Sequence, residues 1–266
     1  MPASSVITGD NGPHAILPDP RRCQTFSTGS GATQAALPLQ GVTILAVEDS
    51  RFACEALRLM SMRSGARLRR AGTLLEARAH LRCYRPDVVI VDLGLPDGRG
   101  EALIRDLATS ARRPKVLLGT SGDPEGRAAS LAAGADLFLD KPLESLAQFC
   151  ETLRQNLPGL GLASLADEII TPDLLALHDD LSRAAQQLDK DQSTSDNAAS
   201  RRYLTSFLLG IAGQCHDASL AQAAGAASNP KANLSALRQL IRKRLEAPEA
   251  QFFGNDQSQS RKQSRP

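Results

Sequence analysis

Four polar clusters in this chain stand at the ends of apolar runs, and their residue types suit one kind of chemistry. Asp92 closes "PDVVIVD" and opens the turn "LGLPDGRG", Glu48 and Asp49 end "VTILAVED", Thr120 and Ser121 end "KVLLGTS", and Lys141 follows "ADLFLD" just before Pro142. Asp49, Asp92, Thr120 and Lys141 are separated by 43, 28 and 21 residues, so only a fold can gather them. In an open parallel α/β sheet, ligands sit outside the carboxyl ends of the strands, where strand order reverses. An acid pair, a lone aspartate, a hydroxyl and a lysine on that rim have the composition of a phosphate-accepting site.

The elements that must position these residues follow from the pattern. From Gly41 to about Pro158 a short apolar run alternates five times with an amphipathic stretch. The predicted strands are 42–48, 66–71, 87–92, 115–120 and 136–140. Four are continuously apolar, as strands covered on both faces are. The fifth, "ARLRRA" at 66–71, is charged and fits a sheet edge. Thr73 with Glu76 three residues on has the capping-box spacing ahead of Leu74, Leu75, Ala77 and Leu81. Asp123-Pro124 predicts a second helix start, with Pro124 at the first helical position and Gly134 as its stop. The expected fold class is α/β: a doubly wound five-stranded parallel sheet of order 2-1-3-4-5, followed by a small all-α region.

By these residues the chain resembles the receiver domain of two-component response regulators, a flavodoxin-like fold. The resemblance covers Gly41 to Leu157 and is carried by "VED", "VIVDLGLPDGRG", "GTSG" and "LFLDKP", in order and near the usual spacing. It implies that Asp92 is the phosphoacceptor, since a carboxylate can act as nucleophile toward phosphorus and form an aspartyl phosphate. It implies Mg²⁺ held by Glu48, Asp49, Asp92 and the backbone carbonyl of Gly94, because clustered acids repel an incoming phosphoryl group and Mg²⁺ takes a few carboxylates plus phosphate and water. Lys141 would place a compact charge on the phosphoryl group. Thr120 would turn its hydroxyl onto a phosphoryl oxygen, and Phe138 matches the family's aromatic switch. The implied partner is a sensor histidine kinase or a phosphotransfer protein.

The rest of the chain divides by composition. Residues 1–40 are rich in Pro, Gly, Ser and Thr and have too little apolar surface to offset ordering entropy, so a disordered tail is expected. A receiver at 41–157 is followed by a linker and helix at 158–188, with a stripe of Leu174, Leu177, Leu181 and Leu188, then a polar linker at 189–200. A helical output region is expected at 201–247 and a disordered tail at 248–266. Two readings of that output stay open. One is a protein-interaction or dimer surface built on Ala- and Leu-rich helices. The other is a divergent helix-turn-helix in about 205–246, in which Lys231, Asn233, Arg238 and Arg242 share one exposed face and contact DNA. Residues 158–266 carry 12 basic and 12 acidic residues, so no overall basic field favours DNA. His178 and His216 lack the surroundings of a phosphotransfer histidine. No clustered acids, nucleophile–base pair or phosphate-cradling loop marks the region as an enzyme.

Composition bounds the setting. The chain has 266 residues, 42% apolar and 23% charged, with a net charge of +2. That charge is too small for bulk attraction to nucleic acid or membranes. Five scattered cysteines without a CxxC fit a reduced protein. No apolar run approaches the roughly 20 residues of a membrane span, and the start lacks the pattern of a secretory signal. A cytoplasmic protein is expected.

Overall fold

The computed structural model describes residues 37–157, 166–190, 198–229 and 232–246. Most of both expected tails, much of the 189–200 linker, and Lys231 lie outside them. In chain order the first part runs β1 (Thr43–Val47), α1 (Arg51–Ser64), β2 (Arg67–Ala71), α2 (Leu74–Cys83), β3 (Val88–Asp92), β4 (Gly94–Leu95), β5 (Gly98–Arg99), α3 (Gly100–Ala108), β6 (Val116–Ser121), α4 (Gly126–Ala132), β7 (Leu137–Asp140) and α5 (Leu146–Asn156). It continues with α6 (Leu174–Lys190), α7 (Ala198–Gln214), α8 (Ala218–Ala227) and α9 (Ser235–Glu246).

The main sheet has five strands, all parallel, in the order β2-β1-β3-β6-β7. β4 and β5 form a separate antiparallel pair just after β3. This is the doubly wound order expected from the sequence, with the charged strand β2 at an edge. Successive side chains of a strand point to opposite faces. Accordingly Ile44, Ala46, Val88, Ile90, Val116 and Leu118 pack on one side with Leu57, Met60, Phe149 and Leu153. Leu45, Val47, Val89, Val91 and Leu117 pack on the other with Leu74, Leu103 and Ile104.

Three local readings need correction. Residues 37–40, read as the end of the tail, are ordered: Leu39 is fully buried in the first cluster and its N–H donates to Ser64 O. The helix expected to open at Pro124 begins at Gly126. Asp123 Oδ1 accepts from Glu125 N at 2.9 Å and Asp123 O accepts from Gly126 N, which closes a turn ahead of the helix. The polar stretch 189–200 is helical at both ends, since α6 runs to Lys190 and α7 starts at Ala198. At α2 the Thr73 cap holds, with Asp97 adding acceptors for Leu74 N and Leu75 N.

Helices α6–α9 form a third apolar cluster, and α1 contributes to it. Phe52, near the start of α1, is fully buried among Leu177, Leu181, Phe207, Leu208 and Ile211. The helices are therefore packed onto α1. Removing a buried phenylalanine costs about 3–5 kcal/mol, from lost transfer energy and the cavity left behind. Phe52→Ala is expected to lower stability in urea unfolding by that amount. A loss well under about 1 kcal/mol would show that the helical cluster closes without it.

Candidate functional site

The carboxyl ends of β1, β3 and β6 bring the polar clusters together. Parallel register sets Asp92 beside Thr120, and Thr120 beside Leu139. Lys141 leaves the end of β7, ahead of a cis peptide to Pro142. Its Nζ donates to Glu48 Oε2 at 2.8 Å and to Asp92 Oδ2 at 2.9 Å. The Lys141 side chain is only 2% exposed, and Glu48, Asp49 and Asp92 are all buried. Gly94 N–H donates to Asp92 Oδ1 at 3.2 Å. The Glu48, Asp49, Asp92 and Lys141 chosen from the sequence thus share one pocket, with the Gly94 backbone at its edge.

Its electrostatics are those of crowded acids. Burial pushes the Glu48 carboxyl up to about 8, the Asp92 charge adds to this, and Lys141 pulls against it. Burial also raises Asp49 to about 6, against a hydrogen bond from Tyr203 and the charge of Arg183. Burial works against the Lys141 charge, but the facing Asp92 and Glu48 carboxylates outweigh it and hold the ammonium above its ordinary range.

Among the described residues, Glu48, Asp49 and Asp92 are the group whose ligand atoms could hold a metal ion, all within 4.8 Å of one another. Asp49 Oδ1 is buried and has no hydrogen-bond partner. A bare buried oxygen among hard oxygen donors fits Mg²⁺, which favours carboxylates and keeps room for phosphate and water.

Thr120 and Phe138 stand one step back. Thr120 is fully buried, and its Oγ1 donates to Leu139 O at 2.9 Å rather than into the pocket. Phe138 is buried in the second core cluster, with the Arg127 guanidinium 5.2 Å from its ring centroid. Gly119 leaves the space that Ser130 fills, since a Cβ there would meet Ser130 Oγ at 1.9 Å.

Sequence reasoning missed that the helical region closes over this pocket. Tyr203 O–H on α7 donates to Asp49 Oδ2 at 2.5 Å. Arg183 on α6 donates to Asp49 O at 2.9 Å and lies 3.4 Å from Asp49 Oδ2. Asp180, fully buried on α6, accepts from Ser50 Oγ, Arg51 N and Phe52 N at the start of α1. A Cβ on Gly122 would come within 2.8 Å of the Gly210 backbone in α7, and Gly210 lies 3.5 Å from Lys141 Nζ when its own Cβ is built. Beside α7 a cavity of about 810 Å³ remains, lined by Leu93, Gly94, Ser121, Tyr203 and Ser206 among others. Two signals were in the sequence. Asp180 sits on the buried stripe of Leu177, Leu181 and Ala184, where an acid needs donors. Gly210 and Gly213 sit inside a helix, where glycine is costly unless backbones approach closely.

Of the described residues proposed to read DNA, Arg238 and Arg242 both lie beside Asp189. Arg238 turns inward: its guanidinium donates to Leu188 O at 2.8 Å and its side chain is 16% exposed. Arg242 is exposed and lies 3.4 Å from Asp189. Asn233 is exposed and its Oδ1 accepts from Ser235 N at the start of α9. His178 is exposed, and His216 lies 2.6 Å from Glu144 Oε1. Among the described residues no helix is long and apolar enough to cross a membrane.

A buried acid cluster with one lysine stands at the strand ends of a doubly wound parallel sheet, the arrangement that the sequence resemblance implies. Residues 44–154 match the model of the response regulator receiver domain. It is 37% identical over 99 residues to the KDP operon transcriptional regulatory protein KdpE of Escherichia coli (strain K12), covering 37% of this chain and 44% of that protein. It is 34% identical over 125 residues to the virulence transcriptional regulatory protein PhoP of Salmonella typhimurium (strain 14028s / SGSC 2262), covering 46% and 54%. Among solved structures, the signal receiver domain of a signal transduction histidine kinase from Syntrophus aciditrophicus aligns at a TM-score of 0.39 with 29% identity, over 47% of this chain and 98% of that one. The chain spans about half the length of the curated relatives it matches.

The raised acids set a pH dependence. Folded Glu48 and Asp49 keep protons up to about 8 and about 6, above their ordinary 4.5 and 3.8. Over that window the folded chain binds more protons than the unfolded one, so stability falls as pH rises. Lys141 stays charged in both states there and does not change the sign. With a chelator present, the melting temperature is expected to be lower at about pH 8 than at about pH 5, and Glu48→Gln should shrink the difference. A difference that Glu48→Gln leaves intact would assign it to other groups.

Proposed function

We propose that the chain is a response regulator in which Asp92 accepts a phosphoryl group from the phosphohistidine of a sensor histidine kinase or a phosphotransfer protein. The observation that carries this is the pairing of buried Lys141 with both Asp92 and Glu48, beside an Asp49 oxygen that has no partner. An Asp92 oxygen attacks phosphorus, an O–P bond forms as the P–N bond breaks, and the leaving imidazole keeps the electron pair and is protonated. Glu48, Asp49, Asp92 and the Gly94 carbonyl would hold Mg²⁺, which supplies charge neutralisation at the acids and phosphoryl oxygens. Lys141 steadies the transferred group. Thr120 then gives up Leu139 O for a phosphoryl oxygen, and Phe138 repacks behind it. The chain acts as a cytoplasmic signalling protein rather than through catalytic turnover of its own.

Incubation with acetyl phosphate and Mg²⁺ is expected to add one phosphate by intact mass, and Asp92→Asn or a chelator should suppress it. Equal labelling of Asp92→Asn would move the acceptor to another residue.

For output we propose contact with protein, made through the helices on the acid pocket. KdpE and PhoP are transcriptional regulatory proteins by name, but the inward Arg238 and the Asp189 beside Arg242 leave α9 poorly suited to phosphates. A genomic DNA pull-down with the phosphorylated chain is expected to enrich no fragment that an Arg238→Ala/Arg242→Ala variant loses. Fragments lost in the variant would establish the DNA-binding reading instead.

A further inference from the structure

Asp49 is 2% exposed, and its two oxygens are treated differently. Oδ2 accepts the Tyr203 hydroxyl at 2.5 Å and lies 3.4 Å from Arg183, while Oδ1 is buried with no partner. A metal-ligating carboxylate is commonly fixed through one oxygen by an outlying donor, which leaves the other free to ligate. Here both outlying donors come from the helical region rather than from the receiver. We propose that Tyr203, assisted by Arg183, is a positioning residue that holds Asp49 with Oδ1 open to a divalent cation, so that α7 is a working part of the cation site. This rests on the reading of the pocket as a Mg²⁺-dependent phosphoryl site.

The donors are themselves held. Arg183 stacks 4.7 Å from the centroid of Phe207, whose ring lies 5.8 Å from that of Tyr203. Arg183 also bonds Asp49 O at 2.9 Å and reaches Asp180 at 3.3 Å. α7 is seated by contacts that only small residues allow. A Cβ on Gly122 would strike the Gly210 backbone at 2.8 Å, and one on Gly94 would strike Ser206 Oγ at 2.6 Å. The Gln214 side chain bonds Leu143 N at 3.0 Å and Leu143 O at 3.1 Å. Glycine inside a helix is costly relative to alanine, so Gly210 is explained by this approach and not by helix stability. Because the seat of α7 and the cation share Asp49, whatever factor one exerts on the other is exerted equally in return, and on this proposal the coupling is favourable.

The test uses the full chain, with Mg²⁺ binding followed by calorimetry and the backbone amides of α7 by hydrogen exchange. Tyr203→Phe, which removes only the hydroxyl, is expected to weaken Mg²⁺ binding by about 10-fold or more. The Mg²⁺ concentration that half-saturates acetyl phosphate labelling should rise by a similar factor, while the rate at saturating Mg²⁺ is retained. Adding Mg²⁺ to the unmodified chain should slow exchange across 198–214, and this slowing should be lost in Tyr203→Phe. Gly122→Ala, which pushes α7 and with it the intact Tyr203 away from Asp49, should weaken Mg²⁺ binding in the same direction. Equal affinity in the unmodified chain and Tyr203→Phe would overturn the proposal and leave the pocket's function intact. Tighter binding in Tyr203→Phe, with faster α7 exchange on Mg²⁺ addition, would overturn it in favour of a hydroxyl that competes with the cation. No Mg²⁺ binding by any form would overturn both this proposal and the reading of the pocket.

Discussion

Three carboxylates and a single ammonium share a pocket from which water is largely excluded, and much of the surrounding structure answers that imbalance. Lys141 pairs with two of the acids, Glu48 and Asp92. Asp49 is left to find donors elsewhere. Charges this close interact strongly at the low effective dielectric of a protein interior, so the neighbouring groups present donors wherever they can. Gly94 N–H serves Asp92 and Ser50 N–H serves Glu48 Oε1. Arg70 bonds the carbonyls of Glu48 and Asp49 from the edge strand β2. The doubly wound sheet is the frame that permits this crowding, because parallel strands end together and place their last residues in register.

The helical region belongs to the same electrostatic arrangement. Asp180 is an acid with no exposure, and it accepts two backbone N–H groups and the Ser50 hydroxyl where α1 begins. The start of a helix carries unpaired N–H groups and a partial positive charge, so a buried carboxylate is stable there. That contact ties α6 to the residues immediately after the acid pair. With Phe52 set into the cluster of α6–α9, the junction is closed by an apolar plug on one side and a capped helix on the other. A region joined only by a polar linker would move freely against its neighbour. This one is packed against α1 and against the carboxyl ends of the strands.

How much of this was legible depended on whether a residue's partner was close in pattern or only in space. Strand ends, the charged edge strand and the acid–lysine set could be read because each follows from local periodicity plus one topological rule. The start of α4 was misplaced because an Asp–Pro pair suits both a helix start and a turn, and the Asp123 bond to Glu125 N selected the turn. Leu39 was assigned to a tail because four residues of turn carry no period of their own. Tyr203 could not be chosen from sequence, since an aromatic on an apolar helix usually packs in a core; its hydroxyl gains meaning only when Asp49 lies opposite. Asp180 and Gly210 carried weaker signals, an acid on a buried stripe and a glycine inside a helix. Each said that something unusual lay opposite without saying what.

Two routes lead out of the pocket, and they begin at different residues. One runs through Thr120, whose hydroxyl holds Leu139 O, to Phe138 and the Arg127 guanidinium above its ring. The other runs through Asp49 to Tyr203 and so into α7. A ligand shifts a conformational equilibrium only by its difference in affinity for the two states. On the proposed function, the first route would supply such a difference through a hydroxyl that can bond either a carbonyl or a phosphoryl oxygen. The second supplies it through a carboxylate whose one oxygen is committed to the helical region while the other is not. On that proposal Asp49 is the junction at which the charge state of the acid pocket and the seating of the helices become one equilibrium, and a change at either end is felt at the other.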